Sequence, residues 1–144
     1  MYEEWRLLHI DEDEGESKMF CRALEHNTFA GKCDYVRSIS EGKTWLEESV
    51  YMPRIRPRPD IIVLNWHAER DDEVMDFVNW LRVQPQFRDT PLAVWVGTST
   101  PANIRERARS VGVTEMFNKG ETFEELADQT AELLERCVSH CLAR

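Results

Sequence analysis

Four acidic side chains follow a short apolar run near the start of the sequence. The run covers residues 6–10, and Asp11, Glu12, Asp13 and Glu14 come directly after it. Adjacent carboxylates repel one another, which raises the pKa of one of them unless a cation relieves the repulsion. Mg²⁺ would do so, held by one or two carboxylates and its own waters. The alternative is a solvated loop whose acids favour the N-terminus of the following helix.

Apolar runs that alternate with helical stripes indicate the elements that position these acids. Strands are predicted at residues 6–10, 33–37, 61–64, 92–96 and 113–117, each followed by a helix. Such alternation predicts an α/β fold, a doubly wound five-stranded parallel sheet with five helices. Ligands of such sheets bind at the carboxyl ends of the strands. The residues to consider there are residues 11–14, 65–67, 97–100 and Lys119.

Capping residues indicate where the helices begin. Ser38-x-x-Glu41 has capping-box spacing for the second helix. Asp71 or Asp72 is expected to cap the third helix, and Thr100 the fourth, with Pro101 at its first position.

Four segments, in order along the chain, carry a family resemblance. They are Ile10-Asp11-Glu12, residues 58–66 (Arg-Pro-Asp-Ile-Ile-Val-Leu-Asn-Trp), residues 84–91 and residues 116–119. Together they resemble the receiver domain of two-component response regulators, closest to the stand-alone receivers that partner bacterial phytochromes. The resemblance covers residues 5 to about 136 and implies one flavodoxin-like, CheY-like domain over residues 1–144.

The sequence departs from this family at the positions that matter for phosphorylation. Position 65, where the family has its phosphate-accepting aspartate, is Asn65, and an amide is not an anionic nucleophile. The hydroxyl that follows the phosphoryl group is replaced by Val96 or Gly97, depending on the end from which the position is counted. Met116 replaces the aromatic residue that rotates on activation, and the neighbouring Phe117 is expected to face the other side of the sheet. Thr98 is the nearest hydroxyl that could replace the missing one.

A vestigial pocket remains. The resemblance implies that Asp11, Glu12 and the main-chain oxygen of His67 line it, with Lys119 as the family's lysine and Asn65 as the inactive acceptor. We expect no cofactor and at most weak Mg²⁺ binding, because Asn65 removes one charge from the site. An ion pair between Lys119 and one of the acids is an equally good expectation.

The function implied is that of an atypical receiver, a protein-interaction module of phosphorelay signalling that does not depend on phosphorylation and is not an enzyme. Its partner would be a sensor histidine kinase or phytochrome-like sensor, or a second copy through helix four, strand five and helix five. The rival is a haloacid-dehalogenase-like, Mg²⁺-dependent phosphohydrolase using Asp11 and Asp13, with Thr98 and Lys119 in its second and third motifs. Its fourth motif, a later acidic pair, is absent from the sequence.

Composition limits the partners, the cellular compartment and the kinds of metal or redox site that can be expected. A net charge of −9 disfavours nucleic acid and anionic membrane as partners. The longest apolar run, residues 92–96, has only five residues and no leader opens the sequence, so a cytoplasmic protein is expected. The four cysteines show no metal-ligand or redox spacing, including Cys137 and Cys141 on either side of His140. The arginines at positions 54, 56 and 58 are interpreted as part of a stiff surface connection.

Overall fold

Strands and helices alternate along the whole chain. The structure, a computed structural model, describes residues 4–29, 31–67, 70–97 and 100–143. The strands are β1 (Arg6–Ile10), β2 (Lys32–Val36), β3 (Ile61–Asn65), β4 (Leu92–Val96) and β5 (Glu115–Asn118). The helices are α1 (Glu14–His26), α2 (Ile39–Tyr51), α3 (Asp71–Val83), α4 (Ala102–Val111) and α5 (Phe123–Leu142), with a 3₁₀ turn at Pro85–Phe87.

The five strands form one parallel sheet in the order β2-β1-β3-β4-β5. All residues of β3 and β4 are buried, as their continuous apolar sequences predict for strands covered on both faces. The predicted fold class is therefore confirmed. Among the described residues, no helix combines the length and apolar character needed to span a membrane.

Two apolar layers cover the sheet, because alternate strand residues point to opposite faces. On one face, α2, α3 and α4 pack over side chains such as Ile62, Leu64 and Val94. On the other face, α1 and α5 pack over Leu7, Val63 and their neighbours. The carboxyl ends of the strands, called the carboxyl edge below, lie between these two layers.

Helix caps agree with the sequence at one predicted position and differ at two. The Ser38 hydroxyl accepts a hydrogen bond from the Glu41 amide, as predicted. The predicted cap at Thr100 is wrong, since Pro101 is itself the N-cap of α4 and offers no side-chain acceptor. The prediction for α3 is also wrong, because Asp71 lies inside the helix and its carboxylate accepts a hydrogen bond from the Trp66 indole.

At the opposite end of the strands, the amino edge, one arginine satisfies many backbone acceptors. The Arg82 guanidinium at the end of α3 donates to the carbonyl oxygens of Phe87, Arg88, Thr90 and Gly112, at 2.7–3.2 Å. It also donates to the Thr114 hydroxyl, which in turn accepts from the amide of Leu92. Gly112 has a φ of 126°, a conformation that favours glycine, and its carbonyl is thereby brought to Arg82. These bonds join the end of α3 to the beginnings of β4 and β5.

Candidate functional site

Three of the predicted site residues meet at the carboxyl edge. Asp11 directly follows β1, Asn65 is the last residue of β3, and Lys119 directly follows β5. Asp11 and Asn65 are 3% and 5% exposed, and the Asn65 Nδ2 atom donates to Asp11 Oδ1 at 3.0 Å. The same Asp11 oxygen accepts from the backbone amide of Asp13 at 2.9 Å. The Asp11 carboxylate is therefore held by two donors from the protein itself.

Glu16, which was not among the residues predicted for the site, completes this cluster. Its carboxylate oxygens lie 2.9 and 3.1 Å from the Lys119 ammonium, and one of them also accepts a close hydrogen bond from Asn65 Nδ2. The expected ion pair of Lys119 exists, but with Glu16 rather than with Asp11 or Glu12. A signal was present, because Asp13 and Glu16 have capping-box spacing, and the Asp13 carboxylate does cap α1 by accepting from the Glu16 amide.

Glu12 and His67 differ from the expectation. The Glu12 carboxylate forms a half-exposed ion pair with Arg70, at 2.9 Å. The main-chain oxygen of His67 accepts a hydrogen bond from the Arg70 amide. The His67 ring, in contrast, faces the cluster, with its Nε2 atom 3.5 Å from Asn65 Nδ2. Asp11 and Glu12 still line one small pocket together with Asn65 and His67, while Glu16 is the acid that shares the Asn65 amide with Asp11.

Burial controls the electrostatics of this edge. Burial raises the pKa of Asp11, while hydrogen bonds from Asn65 and Asp13 and the charge of Lys119 oppose that rise. His9, in the middle of β1 and 1% exposed, has its pKa lowered to about 3 by burial and by the nearby Lys119 charge. The His9 Nε2 atom lies 3.7 Å from Asp11 Oδ2. The imidazole is therefore neutral at physiological pH.

Ligand atoms for a metal ion are present, but in a different set from the predicted one. Donor atoms of Asp11, Glu16 and the His67 ring lie within 4.8 Å of one another. Beside them, Asn65 Oδ1 is buried and has no hydrogen-bond partner among the described residues. An imidazole nitrogen among the donors favours a transition-metal ion over Mg²⁺, which prefers oxygen ligands and water. Because Lys119 already neutralises Glu16, this set does not fit a strong Mg²⁺ site.

The positions matched to the family's moving residues carry no polar group. Val96 is fully buried in the layer beneath α3 and α4, and Gly97 contributes only its carbonyl, which accepts from Arg105. Met116 packs against that same layer, whereas Phe117 packs on the opposite face between Trp95 and α5. The expected orientation of Phe117 is thus confirmed. Thr98 lies outside the described residues.

A cavity of about 570 Å³ opens beside the cluster, between α1 and α5. Its polar end is formed by the acids and amide described above together with His9 and Lys119. Its apolar walls are Met19, Phe20, Trp95, Phe123 and Leu126.

The remaining candidates have structural explanations in their surroundings. The Arg56 guanidinium stacks 4.5 Å from the Trp45 ring centre and pairs with Glu48, which favours the interpretation as a stiff connection. On α5, Cys137 is buried in the core, while His140 turns toward Glu115 at 3.3 Å.

No protein-family model matches the sequence, and comparison with curated proteins finds no match. Solved structures do match. The response regulator RPA3017 in red light signaling of R. palustris has 15% identity and a TM-score of 0.79, covering 91% of this chain and 92% of that one.

Two further structures are similar. The phosphorylated cyanobacterial phytochrome response regulator RcpA has 16% identity and a TM-score of 0.78, with 94% and 95% of the two chains covered. The Mn²⁺-bound form of response regulator Rcp1 has 16% identity and a TM-score of 0.74, with 90% and 91% covered.

The chain has the CheY-like, flavodoxin-like α/β fold. Its structural neighbours are named as response regulators or receiver domains. In the rival interpretation as a phosphohydrolase, Asp13 would donate a proton to the substrate. Here the Asp13 carboxylate caps α1, which accounts for its presence without catalysis.

Proposed function

We propose that the protein is a receiver-like module of two-component signalling that acts through protein contacts and without phosphorylation. The observation that carries this proposal is the environment of Asn65. Its amide nitrogen donates to the carboxylates of Asp11 and Glu16, so the group at the acceptor position is a hydrogen-bond donor whose lone pair is delocalised. The amide at position 65 itself supplies no anionic oxygen that could attack phosphorus.

The Glu16 carboxylate supports the same proposal from the opposite direction. A phosphoryl group at this edge would need a cation to stabilise its charge, and Lys119 is the cation that the family resemblance assigns to this task. In this chain both oxygens of Glu16 already contact the Lys119 ammonium. An incoming phosphoryl group would therefore have to displace an internal anion.

The side chains beyond the cluster agree with an interaction module that has no phosphate-driven switch. At the positions assigned to the family's moving hydroxyl and aromatic residue, Val96 is packed in the core and Met116 is a flexible thioether. Neither can form a hydrogen bond that distinguishes an occupied from an empty pocket. A ligand that binds two conformations equally does not change their populations.

We propose no required cofactor and at most weak Mg²⁺ binding at Asp11, Glu16 and His67. The positive charge of Lys119 offsets part of the negative charge of Asp11 and Glu16. Asn65 supplies a neutral oxygen at a position where a third carboxylate would strengthen metal binding. One neighbour, Rcp1, was described with Mn²⁺ bound. Glu12, the acid that the resemblance assigns to such a site, is engaged with Arg70 in this chain.

The proposed partner is a sensor histidine kinase of the phytochrome-like type. Two of the structural neighbours are named as regulators in red-light or phytochrome signalling. A second copy, docking through α4, β5 and α5, is the other candidate, since β5 is an edge strand of the sheet. Nucleic acid and anionic membrane are not among the proposed partners, because the net charge of −9 disfavours binding to either.

Treatment with acetyl phosphate and Mg²⁺, followed by intact-mass analysis and light scattering, tests this proposal. The wild-type protein should gain no phosphoryl group and keep its oligomeric state. Asn65→Asp should gain one hydroxylamine-labile phosphoryl group, because it restores the nucleophile beside Asp11 and Lys119. Asn65→Asp combined with Glu16→Gln should be labelled faster, because Lys119 is then free for the phosphoryl group.

Two outcomes would contradict the proposal. One is stoichiometric, hydroxylamine-labile labelling of the wild-type protein. The other is a change of oligomeric state in labelled Asn65→Asp, since that would show a working switch at the Val96, Gly97 and Met116 positions. Unchanged affinity of the wild-type protein for its sensor kinase, with and without ATP, would support phosphorylation-independent binding.

A further inference from the structure

Two buried polar side chains that line the cavity between α1 and α5 have atoms without hydrogen-bond partners. His9 is 1% exposed, and neither of its ring nitrogens is hydrogen-bonded within the part of the chain that the structure describes. Asn65 is 5% exposed, and its Oδ1 atom has no partner among the same residues. Both side chains follow Leu7 and Val63 by two positions in their strands, so they face α1 and α5. A polar ligand in this cavity would satisfy atoms that the protein leaves unpaired.

The rest of the cavity is suited to an apolar group. Phe20 and Trp95 are buried in its lining, with their ring centres 6.0 Å apart and their planes nearly perpendicular. The His9 ring lies 4.6 Å from the Phe20 ring, so the unpaired nitrogens adjoin this aromatic surface. The volume of about 570 Å³ is within the range of small-molecule sites, roughly 300–1,000 Å³. Water or a metal ion would fill only the polar end, whereas a compact organic molecule would also contact the apolar walls.

The charges in the lining favour a cation over an anion. Among the described residues that line the cavity, Lys119 is the single cation, and both oxygens of Glu16 contact its ammonium group. Three further acids are present: Asp11, Asp13 and Glu121. The hydrogen bonds that Asn65 and the Asp13 amide donate to Asp11 both end on Oδ1. The other oxygen, Oδ2, lies 3.7 Å from His9 Nε2, which is longer than a hydrogen bond. A positively charged donor would therefore find a carboxylate oxygen and an amide oxygen at the buried end.

We propose that this cavity binds a small organic cation, a protonated amine or amidine attached to an aromatic or similarly sized apolar group. The cationic end donates to the Asp11 carboxylate and to Asn65 Oδ1, and one ring nitrogen of the neutral His9 accepts a further hydrogen bond. The apolar group packs against Phe20 and Trp95. Charge-assisted hydrogen bonds supply the specificity for a cation, and the burial of the apolar group adds affinity.

This ligand site goes beyond the proposed function, because it requires neither phosphorylation nor a protein partner. It also differs from the group of possible metal ligands at Asp11, Glu16 and His67, since His67 is not part of the cavity lining. A metal ion and an organic cation can therefore be distinguished by working in the presence of a chelator.

The test uses the full-length protein in EDTA, with phenethylamine as the probe and NMR detection of amide and indole N–H groups. Titration should give saturable shifts at the Trp95 indole and at the amides of Gly120 and Leu126, which line the cavity. Phenethyl alcohol, which lacks the charge, should bind at least about tenfold more weakly. Ethylamine, which lacks the ring, and phenylacetate, which has the opposite charge, should not saturate these signals.

Matched variants separate the charge of the cavity from the charge of the whole protein. Asp11→Asn should weaken phenethylamine binding about tenfold and change the affinity for phenethyl alcohol much less. Asp128→Asn removes the same charge at an exposed position of α5 outside the cavity, and it should bind phenethylamine as the wild-type protein does. Leu126→Ala, which shortens an apolar wall, should weaken the amine and the alcohol by the same factor.

Three outcomes would overturn this proposal: shifts with phenethylamine that do not saturate, equal affinity for phenethyl alcohol, or unchanged binding in Asp11→Asn. If Asp11→Asn does not fold, the series of compounds on the wild-type protein decides the matter alone. Failure here would leave the proposed function standing, because that function is judged by labelling with acetyl phosphate rather than by amine binding.

Discussion

The amino and carboxyl edges of the sheet differ in how completely their buried polar groups are hydrogen-bonded. At the amino edge, Arg82 donates to four carbonyl oxygens and a hydroxyl, so acceptors from three segments share one multivalent donor. The Asp60 carboxylate similarly accepts from the first amide of β1, at 2.9 Å. At the carboxyl edge, two carboxylates share one amide donor, while Asn65 Oδ1 and both ring nitrogens of His9 have no hydrogen-bond partner among the described residues.

Residues at the amino edge stabilise the fold, whereas the unpaired polar groups at the carboxyl edge lower its stability. Unpaired buried polar atoms are uncommon in folded proteins, and each one costs about 1–3 kcal/mol. Sites that bind or react are where such costs are usually found. The carboxyl edge therefore has the energetic character of a functional site, although position 65 carries an amide.

Loss of the Arg82 guanidinium should give the largest effect on stability. Arg82→Ala leaves several partly buried acceptors without a donor and should lower the free energy of unfolding by about 3 kcal/mol. Urea unfolding followed by tryptophan fluorescence measures this change. Arg107→Ala, at an exposed position of α4, is the matched control and should change it by less than about 0.5 kcal/mol. A loss below about 1 kcal/mol for Arg82→Ala would remove the contrast between the edges.

The buried His9 should make the carboxyl edge sensitive to acid. Its folded-state pKa of about 3 lies below the ordinary value of 6.5, so the unfolded chain binds more protons between these values. The stabilising contribution of the neutral His9 side chain is therefore fully present above pH 6.5 and is lost as the pH falls toward 3. Between pH 6.5 and 5.0 this one group should remove about 1.5 kcal/mol.

His9→Gln, which is neutral at every pH, isolates this effect. The difference in unfolding free energy between pH 6.5 and 5.0 should be about 1.5 kcal/mol smaller in the variant than in the wild-type protein. The raised pKa of Asp11 acts in the opposite direction, since it favours the folded state at low pH, but both proteins contain it. Equal pH dependence in the two proteins would show that His9 is not held neutral.

The smallest effect is expected at the exposed rim of the same edge. Glu12 and Arg70 form an ion pair in which both side chains are roughly 40% exposed. Glu12→Gln should change the unfolding free energy by no more than about 0.5 kcal/mol, because solvent screens such pairs. A loss above about 1 kcal/mol in the same urea experiment would mean that Glu12 belongs with the buried cluster after all.

The sequence predicts the fold well because its signals are local and consistent. Apolar runs such as 61–64 and 92–96 mark central strands, and their alternation with helical stripes leaves one sensible topology. The errors are at the ends of elements. The last strand begins at Glu115 rather than 113, after the turn at Gly112, and α4 begins without the predicted cap. Such ends depend on long-range partners, including Arg82, that no local pattern contains.

The site is less predictable, because side-chain direction decides it. The positions of Asp11, Asn65 and Lys119 follow from the ends of strands, and the structure brings them together as expected. Which acid contacts them depends on the capped start of α1, from which Glu16 reaches Asn65 and Lys119, and on Arg70, which pairs with Glu12.

The Glu16–Lys119 ion pair makes the anion of the pocket part of the polypeptide. Under the proposed function, such a module carries no chemical record of past stimulation, because nothing is added that must later be removed. Its influence on a partner would then be set by mass action, through the number of copies relative to the dissociation constant. The cellular concentration of the protein, rather than its phosphorylation, would then control the signal. The rates of synthesis and degradation would set how quickly that signal can change.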